Sequence, residues 1–583
     1  MSCPGLRIQD SAARHALVSF GALINMKVVT SIVVFAAVLL TGVGVGNAAQ
    51  VDARYPSLDK VQVGTVRHLV RLASQAEGDW TDMTRAKRAA FDDEQYQLAF
   101  MNYALAITQT QLVPAYRELY ERATARNIEK MLSPDVWQPK WLHLISDPQY
   151  KKYLDPKVDW RDPVRDKNIM YSGHLLQMIG LYETLYGDAK YERPGSIIFT
   201  LKDDPAFSRS YNFTGLAQVI RAQYINSQFD GAQCEPNMIY SACQQHPILG
   251  LISYDKLHKT HLADVRGPFL KRALEQDMIK PSKRFSWPFQ AAERHNFDLQ
   301  IPANDGWTGL FMHAWQKDLV DQIYPAERTP SLDVLLSREP AKVKVYWAQV
   351  IASTGFSLFA AYTAEIGDQD ARRKMIDYAD SMFHPVWQNG EYFYPRHDPD
   401  LATVDLGAAL RALAESSGGA IGQQQQTLRD DQLDERQVGP FTGNAGMALA
   451  ILNPGNGLWS VYNNLAATYV AESPQLVGVS YPQVIVNQAF YSQTDRVLAL
   501  GLLPGTADHG RTAFRVKNLK PRGTYDVIVD GSAAAKVEAG HVIVNQKDVG
   551  IAWTPGELQF ELAIGDGRGI LIEESESSKV AAR

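Results

Sequence analysis

Apolar positions recur at helical spacing along most of the chain and change to two-residue alternation towards its carboxyl end. In the run 168–187, Leu175, Met178, Tyr182 and Leu185 fall on one stripe, and His174 sits one turn before Met178. Gly187 and Asp188 read as a C-cap and the start of the next segment. The run 96–118 also has helical period, with Pro114 placed to kink or split it. Segment 121–160 is rich in Trp, Pro and Lys and predicts irregular rim structure, and 204–214 predicts a loop. Helical pattern returns at 216–224, 249–257, 262–278, 308–325, 345–366, 370–388 and 409–414, and near Ala445 and Val461. Ile366-Gly367-Asp368 repeats the Gly187-Asp188 punctuation, which suggests a toroid of helical hairpins. Residues 418–434, with four consecutive glutamines, read as a surface loop. The stretch Cys234-Glu-Pro-Asn-Met-Ile-Tyr-Ser-Ala-Cys243 opens as a loop because of Pro236 and turns helical near Tyr240.

The period changes after Leu503-Pro504-Gly505. The segments 527–529, 541–544 and 558–564 are short, β-branched or alternating, and separated by Gly, Pro and Asp. At the other end, Val28 to Leu40 is almost unbroken apolar and continues to Gly46, with Lys27, Arg14 and Arg7 before it. About 19 apolar residues are just enough to span a bilayer. The long stretch before the apolar core favours a signal anchor. A cleaved signal peptide ending at Gly46-Asn47-Ala48 is the alternative. The positive flank then puts the main domain outside the cytosol, as a single-pass membrane protein or a secreted one. The expected organisation is 1–50 anchor or signal peptide, 51–504 helical domain, 505–575 β-sandwich-like domain and 576–583 tail.

A chain of 583 residues exceeds what one core serves. Net charge is -6, with no basic tract, which argues against a nucleic-acid partner. Eleven Trp and 26 Tyr suit an aromatic-lined cavity. The three cysteines, Cys3, Cys234 and Cys243, make no disulfide framework, although Cys234 and Cys243 have the means to form one bridge in an oxidising compartment. Their nine-residue spacing is too bare of further thiols to read as zinc-binding. No phosphate-binding loop, dinucleotide fingerprint or paired-histidine metalloprotease motif is present, so no cofactor and no metal are expected. Asn212-Phe213-Thr214 is a lone glycosylation sequon. His174 titrates near neutrality and is a candidate general acid/base, although a histidine on an apolar stripe is also a common core residue.

The run Lys167-Asn168-Ile169-Met170-Tyr171 through Gly173-His174-Leu175, and Cys234-Glu235-Pro236 followed by Cys243, resemble the linalool dehydratase/isomerase family. Met101-Asn102-Tyr103, Trp307-Thr308 and His313 fit the same pattern. The resemblance spans roughly 95–500. It implies an (α/α)6 barrel and cofactor-free hydration, dehydration and isomerisation of a terpene alcohol, in a ring-shaped homo-oligomer. It assigns catalytic roles to His174, Cys234 and Cys243, with Tyr103, Tyr171, Tyr240, Glu235 and His313 as supporting candidates. The chain departs from the pattern at Leu105, where the family has an aspartate that moves a proton, and at Gln111 and Ala303, where it has tyrosines. Asp305 is then a candidate replacement carboxylate. The resulting expectation is a mainly α fold: an (α/α)6 barrel, or helical toroid, with a small C-terminal all-β domain and an N-terminal transmembrane or signal helix. The expected activity is that of a dehydratase, isomerase or cyclase on a small apolar hydroxylated or polyene substrate such as a terpenoid. Two alternatives stand beside it. One is a carbohydrate-active toroid enzyme, using Glu235, Asp305 or Glu391 as opposed carboxylates. The other is a membrane-tethered binding protein.

Overall fold

Helices whose every face is apolar or small have to be surrounded by protein, and that property sorts the elements of this chain. The computed structural model describes residues 52–83, 94–280, 284–299, 301–336, 354–394, 444–469, 472–506, 510–538 and 540–575. Its helices are α1 Lys60–Ser74, α2 Glu94–Gln111, α3 Glu118–Met131, α4 Pro134–Ser146, α5 Pro148–Lys151, α6 Ile169–Tyr186, α7 Phe213–Ile225, α8 Ser241–His258, α9 Arg266–Glu275, α10 Pro302–Met312 and α11 Lys317–Leu335. They continue with α12 Thr354–Ile366, α13 Gln369–Phe383, α14 Ala445–Leu452, α15 Gly457–Asn463 and α16 Leu465–Thr468.

Six of them, α2, α6, α8, α10, α12 and α14, are each packed against the next, and α14 returns to α2. In α2 every residue from Gln95 to Thr110 is buried, and in α14 every residue is. The remaining helices of the ring region lie outside. α3 covers α2 and α6, α7 covers α6 and α8, α11 lies on α10, and α13 lies on α12. One-sided burial in α3 and α1 is what an outer position requires. α6 and α8 run parallel and very close. A Cβ at Gly173 would stand 2.5 Å from Pro247 Cδ, and one at Gly250 would stand 2.7 Å from Leu176 Cγ. Only glycine permits that approach.

Seven short strands lie among the helices, β1 Ile197–Thr200, β2 Ser208–Tyr211, β3 Met238–Ile239, β4 Trp287–Gln290, β5 His295–Leu299, β6 Val386–Gln388 and β7 Glu391–Phe393. The carboxyl-terminal region is built of two antiparallel sheets. One holds six strands, β9 Val484–Ser492, β10 Val497–Pro504, β12 Thr524–Val529, β13 Ser532–Glu538, β14 His541–Val544 and β17 Arg568–Ser575, in the order β14-β13-β12-β17-β10-β9. The other holds β8 Gln475–Val477, β11 Arg511–Lys517, β15 Gly550–Thr554 and β16 Glu557–Ala563, in the order β15-β16-β11-β8. Backbone bonds join these sheets to the helical region. Leu476 N donates to Ala115 O at 2.7 Å, Ala115 N to Ala489 O at 2.9 Å, and Leu58 N to Asn487 O at 2.7 Å.

Several expectations are corrected. The fold class expected from sequence included an N-terminal transmembrane or signal helix. Among the described residues no helix is long and apolar enough to cross a membrane, and no sheet closes into a barrel. What the chain has is a mainly helical body with helix contacts running round a ring, and a C-terminal β-sheet region. The membrane-attached partner and single-pass localisation rested on the apolar run 28–46, which lies outside the described residues, and they are withdrawn. The β region begins at Gln475 rather than 505. β9 and β10 are buried on both faces over most of their length, so they show no alternation to reveal them. Segment 121–160 is mostly helical as far as Lys151, and only 152–160 is irregular. Pro134 and Pro148 stand at helix N-termini behind the capping side chains of Ser133 and Asp147, so these prolines start helices instead of breaking them. Residues 204–214 contain a strand, Ser208–Tyr211. The predicted helix at 409–414 and loop at 418–434 lie outside the described residues.

Candidate functional site

Four successive ring helices each send one ring side chain to a common point. Tyr103 comes from α2, His174 from α6, His246 from α8 and Trp307 from α10. Tyr103 Oη and His174 Nδ1 are 2.8 Å apart. The His174 and His246 ring centroids are 3.6 Å apart. Trp307 Nε1 donates to His246 Nε2 at 2.7 Å, and His246 Nδ1 meets Gln177 Oε1 at 2.8 Å. An indole N–H can only donate, so His246 Nε2 must accept. Its proton therefore sits on Nδ1 and is donated to Gln177. Gln177 Nε2 then donates to Tyr462 Oη at 3.1 Å. This chain of bonds fixes His246 as a neutral ring beside His174.

His174 itself is fully buried, and its Nε2 has no hydrogen-bond partner. Burial, followed by the charge of Lys140, holds its imidazole well below the usual value. Burial does the same to His246, with His174 as the lesser cause. Tyr103 moves the other way, since burial raises it far above the usual phenol value and keeps it protonated. Tyr96, Phe100 and Trp307 wall the cluster, with ring centroids 5.8, 5.8 and 6.2 Å from His174.

The Cys234 loop is pinned beside the start of α6. Ile169 N donates to Gln233 O at 3.1 Å, and Gln244 bonds both the N–H and the C=O of Ala232. A tight turn returns Cys234 N to Met238 O at 2.8 Å, with Asn237 at φ 75°. Between them Glu235 is raised by burial, partly offset by Lys140 and by a hydrogen bond from Tyr240. Tyr240 is raised well above its usual value, first by burial and then by Glu235. Lys140 Nζ donates to Tyr96 Oη at 3.1 Å. The positive charge of Lys140 lowers both Glu235 and His174, as a cause secondary to burial in each.

The other expected site residues are placed elsewhere or differently. Cys234 and Cys243 are joined in a disulfide, so in this state neither offers a thiol. Cys243 lies one turn before His246 on α8, and that i,i+3 spacing was the signal by which His246 was findable. Asp305 is not a free carboxylate near His174. It is buried in an ion pair with Arg284 and hydrogen-bonded to Glu327, and burial raises both acids. Asp305 and Trp307 are two residues apart on α10 and so face opposite ways. His313 pairs with Glu365 at 2.9 Å, both fully buried and apart from the cluster. Tyr171 donates to Met131 O at 2.8 Å, a bond that supports structure. Leu105 is fully buried core. Glu391 is held by His68 and Arg71. Of the three carboxylates weighed for the carbohydrate reading, Asp305 and Glu391 are thus both committed to ion pairs. Asn212 caps α7, accepting from Gly215 N at 2.9 Å and donating to Glu192 O at 2.9 Å.

Comparison with solved structures finds the endoglucanase CelQ from Clostridium thermocellum, crystallised with cellotriose. The match has 12% identity, covers 89% of this chain and 93% of that one, and has a TM-score of 0.31, too low to carry an argument. The family model described as linalool dehydratase/isomerase matches residues 95–399, just over half of the chain, and that span contains Tyr103, His174, Glu235, His246 and Trp307. The chain therefore belongs to the linalool dehydratase/isomerase family, and with it carries an isomerase- or lyase-type catalytic capability.

Proposed function

We propose that this protein adds water to, removes water from, or rearranges a small apolar substrate bearing a hydroxyl or a polyene, such as a terpenoid, with His174 and Glu235 as the proton carriers. The observation that carries the reading is a buried neutral imidazole with an unpartnered Nε2, and a carboxyl of raised proton affinity on the loop that Ile169 N pins to the start of the same helix. One environment pushes a base and an acid in opposite directions, which is what acid/base chemistry at a single centre requires. In dehydration, Glu235 gives its proton to the leaving hydroxyl oxygen and the C–O bond breaks, releasing water. His174 Nε2 takes a proton from the neighbouring carbon, and the C–H electron pair becomes the alkene. The faces of Tyr96, Phe100 and Trp307 favour the positive charge that develops between these events. Hydration runs the same steps in reverse. Leu105 cannot carry a proton, so Glu235 takes the role that an acid on α2 would have had.

Incubation of the purified protein with linalool and related allylic alcohols in heavy water tests the proposal. Deuterium is expected on carbon in recovered substrate and product, read by mass spectrometry, and Glu235→Gln is expected to suppress it. Unlabelled material, or labelling indifferent to Glu235→Gln, would overturn the reading.

The bridge between Cys234 and Cys243 leads to a separate expectation. A thiol-alkylating reagent alone should leave turnover unchanged, because neither Cys234 nor Cys243 then offers a thiolate to attack it. Reduction followed by alkylation should remove most of the turnover, since the adduct would sit beside Glu235 and one turn from His246. Equal inhibition with and without reductant would show that the bridge is not closed in solution.

A further inference from the structure

A second cluster of ionisable side chains lies at the opposite ends of the two helices that carry the histidines. Glu183 is in the last turn of α6, and His258 is the last residue of α8. Glu192 ends the 3-10 turn Ala189–Glu192 that follows α6. One ligand atom of each lies within 4.8 Å of the others. Glu183 is nine residues beyond His174, roughly 13 Å along the helix, so this is not the acid/base centre.

Each member is held in place. His258 Nε2 is 2.7 Å from Glu192 Oε1, and the His258 ring stacks on Tyr254 with centroids 4.2 Å apart. Thr214 donates to Glu192 Oε2 at 3.0 Å. The independent pointer to a ligand is Glu183, which is 7% exposed and has an Oε2 without a hydrogen-bond partner. A buried carboxylate oxygen left without a partner is costly. The charges that act on it most, Glu192 and Asp188, are also negative. Two parallel helices direct their carboxyl ends to this place, and the partial negative charge at each favours a cation there.

We propose that Glu183, Glu192 and His258 bind one first-row divalent cation, Zn2+ by its ligand set, and so clamp the carboxyl ends of α6 and α8. One imidazole and two carboxylates make a three-ligand zinc set that leaves a fourth position for water. Bonds of about 2.0–2.2 Å place two ligands of a tetrahedral ion about 3.4 Å apart, so the His258–Glu192 pair at 2.7 Å has to open slightly while the separations, none above 4.8 Å, have to close by no more than about 1.4 Å. Glu192 and His258 keep 23% and 28% of their side-chain surface exposed, which gives the ion a way in. The clamp would hold the two helices whose other turns present His174 and His246.

Tag-free, full-length protein treated with a chelator is the material for the test, titrated with ZnCl2 in a calorimeter and melted with and without the metal. One ion per chain and a rise in Tm are expected. Glu183→Gln and His258→Gln should each weaken binding by more than about 100-fold, beyond the cost of losing an outer-shell partner, and remove the rise in Tm. Circular dichroism of the metal-free variants should match the parent, because no ligand-free contact depends on the Glu183 charge. Absence of stoichiometric binding, or unchanged affinity in both variants, would overturn the proposal.

Discussion

Replacing His174 by alanine is expected to lower kcat by about 10²–10⁴-fold, the range over which a positioned general acid or base contributes. The argument rests on where the ring sits. Nδ1 is taken by Tyr103, the face is covered by His246, and only Nε2 lacks a protein partner. His68 and His313 also leave Nε2 without a hydrogen-bond partner, but each sets its Nδ1 against a carboxylate, whereas His174 Nδ1 meets the Tyr103 phenol among aromatic rings. Alanine also leaves a cavity and an unpaired Tyr103 hydroxyl, so a stability loss of about 1–3 kcal/mol accompanies it. Glutamine separates the two effects. His174→Gln can still bond Tyr103 and fill much of the space, but it carries no proton at neutral pH. It should therefore melt close to the parent and remain as inactive as alanine. The parent's kcat/KM should also fall on the acid side only below the ordinary imidazole value, since burial lowers the His174 pKa and protonation removes the base. A His174→Gln protein with parental turnover would exclude the histidine as a proton carrier.

What the sequence made legible followed from local rules. The apolar stripe from Leu175 to Leu185 marks α6, and the Gly-Asp pairs end and restart helices, with Gly187 and Gly367 both at positive φ. Asp368 then caps α13 through Ala371 N. Tyr103, His174 and the Cys234 loop were recognisable from a motif, and the structure links them. What was hidden depends on contacts between distant segments. β9 and β10 look uniformly apolar because protein covers both faces. His246 resembles any interior histidine until Trp307 and Gln177 fix its tautomer. Asp305 and His313 carry suggestive chemistry in the sequence, yet their neighbours Arg284 and Glu365 occupy them. Spacing along a chain gives the side of a helix, not the identity of what packs against it.

Loss of the Glu365 carboxylate is expected to be the most destabilising single change, because four donors from separate segments converge on it. His313 Nδ1 and Trp459 N meet Oε1, each at 2.9 Å, while Asn453 Nδ2 and Leu458 N donate to Oε2 at 2.7 and 2.9 Å. Both Glu365 and His313 are fully buried, so water does not replace what is removed. The carboxylate also caps the N-terminus of α15, where free backbone N–H groups favour a negative charge. Glu365→Ala leaves these donors unsatisfied in the interior and should cost about 3–5 kcal/mol, as breaking a buried ion pair does. Glu365→Gln keeps one acceptor oxygen and should cost less. The change also reaches the histidine cluster by a continuous set of bonds. α15 carries Tyr462, Tyr462 accepts from Gln177, and Gln177 holds the His246 ring against His174. Glu365→Ala should therefore lower turnover even below its melting range, while KM changes little because no substrate-facing group is lost. Chemical denaturation followed by tryptophan fluorescence, alongside kcat measured at low temperature, checks both halves. A midpoint within about 1 kcal/mol of the parent would mean that the converging donors find other partners, and that the Glu365 carboxylate does not hold α15 in place.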